Sequence, residues 1–275
     1  MRIIYRAIAF LLIGAAVSSC SSNPYAPTNR AYKKQAKTLS KIYRQTPPAL
    51  PGGEKLQPGD QWVGTTNFSI RKPNYVIIHH TAQNSTAQTL RTFTLPRTAV
   101  SAHYVIGRDG KVYHMLNDYL RAHHAGVSKW GNNSDLNSSS IGIELDNNGY
   151  EPFAEAQVAS LLQVLALLKE NHKIPDANFI GHSDIAPPRK VDPNPTFPWK
   201  RLAENGFGLW PDSTVVDSLP ADFNPKEALR IIGYDIRNMD AAIRAFKLHF
   251  VQTDLTPVLT ETDKKVLYNL YRKYY

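Results

Sequence analysis

The chain has very little cysteine and no apolar run long enough to cross a bilayer. Its 275 residues include one cysteine, Cys20, so an internal disulfide is excluded. The apolar stretch Ala7–Val17 is shorter than the ~20 residues that a transmembrane helix needs. We find no internal repeat and no nucleic-acid-binding motif. The sequence therefore predicts a globular protein without disulfides, and we expect no nucleic-acid partner.

Composition is that of an ordinary folded protein with an excess of positive charge. Hydrophobic residues make up 42% of the chain and charged residues 20%, which disfavours disorder of the whole chain. The length suffices for one medium domain and a small one. Lys and Arg number 32 against 23 Asp and Glu, a formal net charge of +9. Such a balance suits any polyanion, including a membrane surface or a cell-wall polymer, without choosing among them.

The first residues have the order of a secretory leader. Arg2 and Arg6 precede the apolar stretch, and the small residues Ser18 and Ser19 follow it. The tetrapeptide Val17–Cys20 resembles the bacterial lipobox, which implies that residues 1–19 are a lipoprotein signal peptide and that Cys20 is lipidated. An ordinary secreted protein, cut near Ser19, is the alternative.

The residues after the cysteine bear on localisation. Ser21 and Ser22 follow Cys20, without an aspartate at the next position. By analogy with lipoprotein sorting, this implies an outer-membrane protein that is lipid-anchored and faces the periplasm.

Four segments follow the predicted signal peptide. Residues 20–60 are rich in Ser, Pro, Asn and Lys and predict a lipidated tether with a short helix around Arg30–Arg44. Residues 61–205 carry the strand and helix patterns of a folded domain, in which the candidate catalytic residues named below lie. Residues 206–219 form a connector, and residues 220–275 have a helical pattern.

Patterns in the central segment predict a mixed sheet with flanking helices. Apolar, β-branched runs predict strands, Asp109-Gly110 predicts a hairpin, and apolar residues with a 3.6-residue period predict one long helix. The predicted strands are 74–80, 103–107, 111–116, 140–145 and 178–181, and the predicted helix is 155–171. This mixture indicates the α/β class.

The last segment predicts a small three-helix domain. The predicted helices are 226–234, 240–250 and 263–274. Asn224 is the expected N-cap of the first helix, with Pro225 at its first position, and Thr262 is the expected N-cap of the third.

Two histidines and an aspartate are candidate metal ligands. His79 lies at the end of the first buried strand and His182 directly follows the last one. Asp192 follows ten residues later in a proline-rich loop. Two imidazoles and a carboxylate make an open zinc site with one position left for water.

Amide hydrolysis at such a site needs a proton carrier and a group that stabilises the oxyanion. Glu144 lies in the strand 140–145 between two apolar residues, and Lys190 lies two residues before Asp192. Each residue alone also fits a structural role: a satisfied histidine, a glutamate paired with an arginine, or an exposed lysine.

Five stretches together resemble the type 2 N-acetylmuramoyl-L-alanine amidases, in that family's order. They are Val76–Ala82, Ser101–Ile106, His124–Ser128, Ser140–Leu145 and Gly181–Pro193. The resemblance implies that His79, His182 and Asp192 hold zinc. It also implies that Glu144 is the catalytic glutamate and that Lys190 is the basic residue that stabilises the transition state, while His80 is not a ligand. The implied reaction is hydrolysis of the bond between N-acetylmuramic acid and L-alanine in peptidoglycan or muropeptides.

Two positions depart from the family pattern, at the groove wall rather than in the metal set. His123 stands where similar proteins commonly have tryptophan, and Pro188 where they often have glycine. Residues 84–100, with Thr92 and Phe93, and residues 128–139, with Trp130, are predicted to border the groove.

Three functions stay open at the level of the sequence. The leading one is the amidase, the second a peptidoglycan-binding protein without catalysis, and the third a zinc peptidase that cuts within the stem peptide. Residues 220–275 resemble a three-helix peptidoglycan-binding fold, and a helical cap on the catalytic domain is the alternative. No pattern demands assembly, so we expect a monomer.

Overall fold

A computed structural model describes residues 23–44, 65–212 and 218–274. Outside these residues lie the predicted signal peptide, Cys20, and residues 21–22 and 45–60 of the predicted tether. The chain divides into two compact units, residues 1–66 and residues 67–275. Among the described helices, none combines the length and apolarity needed to cross a membrane.

The first unit contains one described helix, α1 (Ala26–Tyr43). It begins four residues before the predicted Arg30–Arg44 segment, because Pro27 is tolerated in the first turn, where backbone N–H groups lack intrahelical partners. No residue of α1 is buried.

The second unit is built on a five-stranded mixed sheet, as predicted. The strands are β1 (Tyr75–His80), β2 (Tyr104–Ile106), β3 (Val112–His114), β4 (Ser140–Leu145) and β5 (Phe179–Gly181). Their order is β3-β2-β4-β1-β5, and only the edge strand β3 is antiparallel to its neighbour. The two hairpin strands are shorter than predicted, because regular pairing covers only three residues of each.

Helices cover the sheet and connect its strands. They are α2 (Thr86–Thr94), α3 (Leu136–Ser139), α4 (Glu155–His172), α5 (His182–Ile185), α6 (Trp199–Glu204), α7 (Pro225–Ile232), α8 (Met239–Phe250) and α9 (Glu261–Tyr274). The long predicted helix 155–171 corresponds to α4. The three predicted C-terminal helices correspond to α7, α8 and α9.

Alternate side chains of β1 enter two different hydrophobic clusters. Val76 and Ile78 belong to the cluster that contains the apolar stripe of α4. Ile77 belongs to the other cluster, with Leu229 of α7 and Phe246 of α8. Successive side chains of a strand point to opposite faces of the sheet, so α4 and the C-terminal helices cover opposite faces. The predicted domain boundaries at 205 and 220 stay predictions, but α7 and α8 share a core with the sheet.

Side-chain caps fix where the C-terminal helices begin. Asn224 caps α7 as predicted, accepting hydrogen bonds from the backbone of Lys226 and Glu227. The predicted cap Thr262 is wrong. Thr260 Oγ1 accepts from the backbone N–H of Asp263, and the Asp263 carboxylate accepts from the N–H of Thr260. This reciprocal pair satisfies two N–H groups at once, which a cap at Thr262 would not do.

A buried carboxylate joins the C-terminal helices to the sheet. Asp184 of α5 is fully buried and accepts hydrogen bonds from the backbone N–H of Gly181, at 2.7 Å, and from the Tyr234 hydroxyl, at 2.8 Å. Its Oδ2 lies 2.7 Å from His249 Nδ1 of α8. Burial, and next the charge of Asp184, hold the pKa of Tyr234 well above its usual range. Residues from β5, α8 and the loop after α7 thus meet on one side chain.

Asp184→Asn should therefore loosen the C-terminal helices from the sheet. An amide has one acceptor oxygen for three groups, and breaking a buried, charge-assisted set costs ~2–4 kcal/mol of unfolding free energy. Urea unfolding of residues 21–275 measures the loss. Asp176→Asn, at an exposed position, is the control and should change the free energy of unfolding by no more than about 0.5 kcal/mol. A double-mutant cycle with Tyr234→Phe should show coupling between the two residues. Strictly additive losses of unfolding free energy would contradict the hydrogen bond between them as a link of the C-terminal helices to the sheet.

Candidate metal centre and active-site cleft

Parallel pairing brings the predicted site residues to one edge of the sheet. His79 and Glu144 are register partners in β1 and β4, and His182 follows β5, which pairs with β1 on the other side. The carboxyl ends of these three strands meet at the same edge because the strands are parallel. Asp192 is carried back to this edge by the loop after α5, where its backbone C=O accepts from Ser183 N–H at 2.8 Å.

Three donor atoms converge at this edge. His79 Nδ1 and His182 Nδ1 lie 2.9 Å apart, and Asp192 Oδ2 lies 3.2 Å from the first and 3.0 Å from the second. All three residues are buried, and they form the group of potential metal ligands found among the described residues. The sequence named these three residues, and their role as ligands stays a prediction.

A chain of hydrogen bonds determines which nitrogen of His79 carries its proton. The Ser140 hydroxyl donates to the Leu136 carbonyl, so its oxygen accepts from His124 Nε2, at 3.2 Å. His124 Nδ1 is then an acceptor, and the N–H at His79 Nε2 donates a hydrogen bond to it, at 3.0 Å. His79 therefore presents an unprotonated Nδ1 to the convergence point.

His182 is oriented in the same way by a backbone carbonyl. Its Nε2 donates to the carbonyl of Ala125, at 3.1 Å, which leaves Nδ1 unprotonated. The Arg189 guanidinium also donates to this carbonyl and to that of Val127, both at 2.8 Å, and so holds the 125–127 turn in place. Hydrogen bonds of this kind to the outer nitrogen are typical of metal-ligating histidines.

The donor set fits zinc. Two imidazole lone pairs and a carboxylate oxygen face one another with no proton between them. A bound cation would offset the repulsion among these three atoms. In a tetrahedral zinc site with bonds of ~2.0–2.1 Å the ligand atoms lie roughly 3.3 Å apart, close to the separations seen here. Burial, and next the neighbouring His182, lower the pKa of His79 to about 4. Burial alone would raise the pKa of Asp192, but the proximity of His182 and His79 outweighs burial and holds this pKa well below its usual range.

Glu144 lies beside the donor set in an unusual electrostatic position. Its Oε1 is 4.0 Å from His79 Nδ1, and its Oε2 is buried without a hydrogen-bond partner. Burial, and next the charge of Asp192, raise the pKa of Glu144 to about 8, against the opposing effect of Lys190. An unsatisfied buried carboxyl oxygen beside a candidate metal site is suited to exchanging a proton with a bound water or substrate.

A cleft of about 410 Å³ opens over these residues. Lys190 is partly exposed and lines it, together with the predicted Thr92 and Phe93. The other lining residues include His80, Gln83, Val100, Ser101, His123, Arg189 and Val191. His123, one of the two departures from the family pattern, is therefore a wall residue. His80 accepts from the backbone N–H of Asn194 at 3.1 Å and is not part of the ligand group.

The prediction that Trp130 borders the groove is wrong. Trp130 is 6% exposed and packs edge-on against Tyr234, with ring centroids 5.0 Å apart. Gly233 makes room for it, since a Cβ there would lie 2.4 Å from the indole. The aromatic side chain is used to dock the C-terminal helices and not to contact a ligand.

The sequence reasoning missed the outer residues His124 and Ser140, although one signal pointed to them. Gly142 lies in the middle of β4, and a glycine within a strand often marks a close approach of another group. A Cβ at Gly142 would lie 2.4 Å from Cγ of His124. The glycine allows His124 to lie flat against β4, within reach of both His79 and Ser140.

A histidine-and-aspartate donor set beside a buried glutamate, in a cleft at the carboxyl edge of an α/β sheet, is the arrangement used by metal-dependent hydrolases. The sequence profile of the N-acetylmuramoyl-L-alanine amidases matches residues 69–195. The amidase AmiD of Escherichia coli is 34% identical over 209 residues, which span 65% of this chain and 75% of AmiD. The chain belongs to the N-acetylmuramoyl-L-alanine amidase family, which confirms the family and the enzyme class predicted from the sequence.

Further relatives agree with this assignment. The 1,6-anhydro-N-acetylmuramyl-L-alanine amidase AmpD of Haemophilus influenzae is 41% identical over 103 residues, or 37% of this chain and 56% of AmpD. The structure of E. coli AmiD with an anhydro-N-acetylmuramic acid peptide superposes with a TM-score of 0.68 at 28% identity, covering 77% of this chain and 93% of AmiD. AmpDH3 of Pseudomonas aeruginosa, in complex with anhydromuramic pentapeptide, also gives 0.68 at 28% identity, over 80% of this chain and 99% of AmpDH3.

The hydrogen-bond chain behind His79 predicts the effect of Ser140→Ala. Without the hydroxyl, the Nε2 proton of His124 loses its acceptor, and His79 is no longer held in one tautomer. Loss of such an outer partner typically costs 10–100-fold in metal affinity. Competition with a chelator measures the zinc affinity of residues 21–275.

The neighbouring Ser139→Ala is the matched control, because its hydroxyl bonds Asp135 and Asn133 and does not touch a histidine. Equal zinc affinity in the two variants would exclude the role assigned to Ser140.

Proposed function

We propose that this protein hydrolyses the amide bond between N-acetylmuramic acid and L-alanine, with zinc held by His79, His182 and Asp192. The convergence of these three donors beside Glu144 is the observation that carries the proposal. We further propose that soluble muropeptides, including anhydro-muropeptides, are substrates. This is supported by the complexes of AmiD and AmpDH3 with anhydromuramic peptides.

When bound, zinc supplies a Lewis acid that polarises the substrate carbonyl and lowers the pKa of a water toward ~7. The chain supplies the rest. In its ionised form Glu144 takes a proton from the attacking water, and it then delivers this proton to the leaving nitrogen of L-alanine. The Lys190 ammonium, in the wall of the same cleft, stabilises the negative charge that develops on the carbonyl oxygen.

The rigid surroundings of these groups matter as much as their chemistry. His79 and Glu144 lie on paired strands, so the separation of their backbones cannot change without breaking the sheet. Arg189 ties the 125–127 turn to the loop that carries Lys190. The site thus holds its reacting groups in place before substrate binds, which is the main condition for electrostatic stabilisation of a transition state.

Product analysis tests the reaction. Residues 21–275 are incubated with a muramyl-peptide and an anhydromuramyl-peptide, with zinc, with a chelator, and with zinc restored. We expect free stem peptide that begins at L-alanine, lost with chelator and regained with zinc. Fragments cut inside the stem would indicate a peptidase, and bound ligand without any product would indicate a recognition protein.

Glu144→Gln provides the mechanistic control for this experiment. It keeps the size of the side chain and removes the proton carrier, so turnover should fall ~10²–10⁴-fold while bound zinc is retained. Glu170→Gln, at an exposed glutamate paired with Lys173, is the matched variant and should leave turnover unchanged. Unchanged turnover of Glu144→Gln would remove this residue from the mechanism.

We also propose that the mature protein is a lipoprotein, acylated on Cys20 and anchored in the outer membrane. The support is the sequence Val17–Cys20 after a leader-like segment, followed by Ser21 and Ser22. In this setting the enzyme acts on the periplasmic side, where peptidoglycan and its fragments are found.

Cys20→Ser should abolish covalent acylation. Cells grown with labelled palmitate should label the wild-type chain but not the variant, and mass spectrometry should place the acyl groups on Cys20 as the first residue. The acylated protein should sediment with outer-membrane vesicles. Label in the Cys20→Ser chain, or an unmodified mature terminus, would contradict the anchor without affecting the proposed reaction.

A further inference from the structure

Helix α1 carries its charges on one side only. Five of its residues are basic, and no acidic residue occurs between Ala26 and Tyr43. At 3.6 residues per turn the basic residues fall within an arc of roughly 100°. They are Arg30, Lys33, Lys34, Lys37 and Lys41. We refer to these five residues as the basic stripe.

The opposite side of α1 is apolar and aromatic. Tyr32, Ala36, Leu39 and Tyr43 follow one another at i, i+4, i+7 and i+11, which places them on a second stripe opposite the first. None of them is buried, and the Tyr43 side chain is 79% exposed. We refer to these four residues as the apolar stripe.

These two stripes define the class of surface that fits the helix. A polar face rich in lysine opposite a face with aromatic and aliphatic residues is the pattern of helices that lie in the interface of a bilayer. The basic stripe alone would suit any polyanion. The apolar stripe adds a requirement that a hydrophilic polymer such as peptidoglycan does not meet, because such a polymer has no apolar layer in which to bury it.

We infer that α1 is a membrane-binding element that lies on an anionic phospholipid surface, with the apolar stripe at the acyl-chain boundary and the basic stripe among the phosphates. The tyrosines suit this position because their rings are apolar and their hydroxyls reach water. Nothing in the reaction proposed above requires this contact, so the inference goes beyond the amidase activity.

The position of α1 in the chain agrees with this inference. It begins six residues after Cys20, a distance of at most ~21 Å along an extended chain. If Cys20 is acylated as proposed, α1 is held close to the bilayer. This step of the argument rests on the proposed acylation, whereas the two stripes do not.

Vesicle binding by the chain without its leader tests α1 separately from the lipid anchor. Residues 21–275, which lack Cys20, are mixed with vesicles of phosphatidylglycerol and phosphatidylcholine, or of phosphatidylcholine alone. We expect association with the anionic vesicles only. Because each basic residue near an anionic surface contributes ~1 kcal/mol, replacing Lys33, Lys37 and Lys41 by glutamine should weaken association roughly 100-fold.

Two further variants distinguish the effect of the two stripes on vesicle binding from the effect of net charge. Lys173→Gln, Lys200→Gln and Lys226→Gln together remove the same charge from exposed positions of the second unit and should leave vesicle binding unchanged. Tyr32→Ser with Leu39→Ser keeps the charge and disrupts the apolar stripe, and should weaken binding at least tenfold. Amidase turnover on a soluble muropeptide should be the same in all variants, so a failure here is distinct from a failure of the proposed reaction.

Several results would overturn the inference. One is equal binding to both kinds of vesicle. Another is an equal loss of vesicle binding in the triple lysine variant of α1 and in the triple lysine variant of the second unit. A third is unchanged binding of the chain that carries Tyr32→Ser with Leu39→Ser. Binding of the chain to purified peptidoglycan rather than to vesicles, with the same dependence on Lys33, Lys37 and Lys41, would assign the basic stripe to the cell-wall polymer instead.

Discussion

The parallel pairing of β1 with β4 and β5 is the constraint on which the site depends. It places the carboxyl ends of three strands side by side, so that His79, Glu144 and His182 reach one edge although 103 residues of chain separate the two histidines. Because successive side chains of a strand alternate in direction, a register slip of one residue in β4 would turn Glu144 to the other face. Regular backbone hydrogen bonding thus sets the positions of His79 and Glu144, whereas the loop after α5 brings Asp192 to them.

A sheet with two apolar faces needs a packed layer on each of them, and the C-terminal helices form the second layer. Alternate residues of β1 are completely buried, Val76 and Ile78 toward α4 and Ile77 toward the opposite cluster. Exposing that second face would cost roughly 25 cal/mol for each Å² of apolar surface. Asp184, two residues after the candidate ligand His182, adds specific polar contacts between the C-terminal helices and the sheet. The C-terminal helices therefore support the sheet that carries the site, whether or not their outer surface binds a ligand.

How much the sequence predicts depends on the range of the interaction that decides each feature. Strands β1 and β4 and helix α4 have strong local periodicity and were predicted to within a residue or two, and the cap at Asn224 follows from local chemistry. The tautomer of His79 depends on Ser140 and His124, which lie far away in sequence, and no local pattern encodes this chain of contacts. Trp130 was misassigned for the same reason, since its partners Gly233 and Tyr234 lie about a hundred residues away.

Positive charge has two proposed roles in this protein, and the two differ in the range over which the charge acts. Lys190 lies in the cleft wall near Glu144, and Arg189 is bound to two backbone carbonyls. Both act over a few ångströms, a range over which salt screens an interaction only weakly. The basic stripe of α1 is exposed, and on a membrane surface it would act through solvent, where interactions are screened beyond ~8–10 Å. Catalysis and surface attachment should therefore respond differently to ionic strength, because only the second would depend on interactions that reach beyond the screening length.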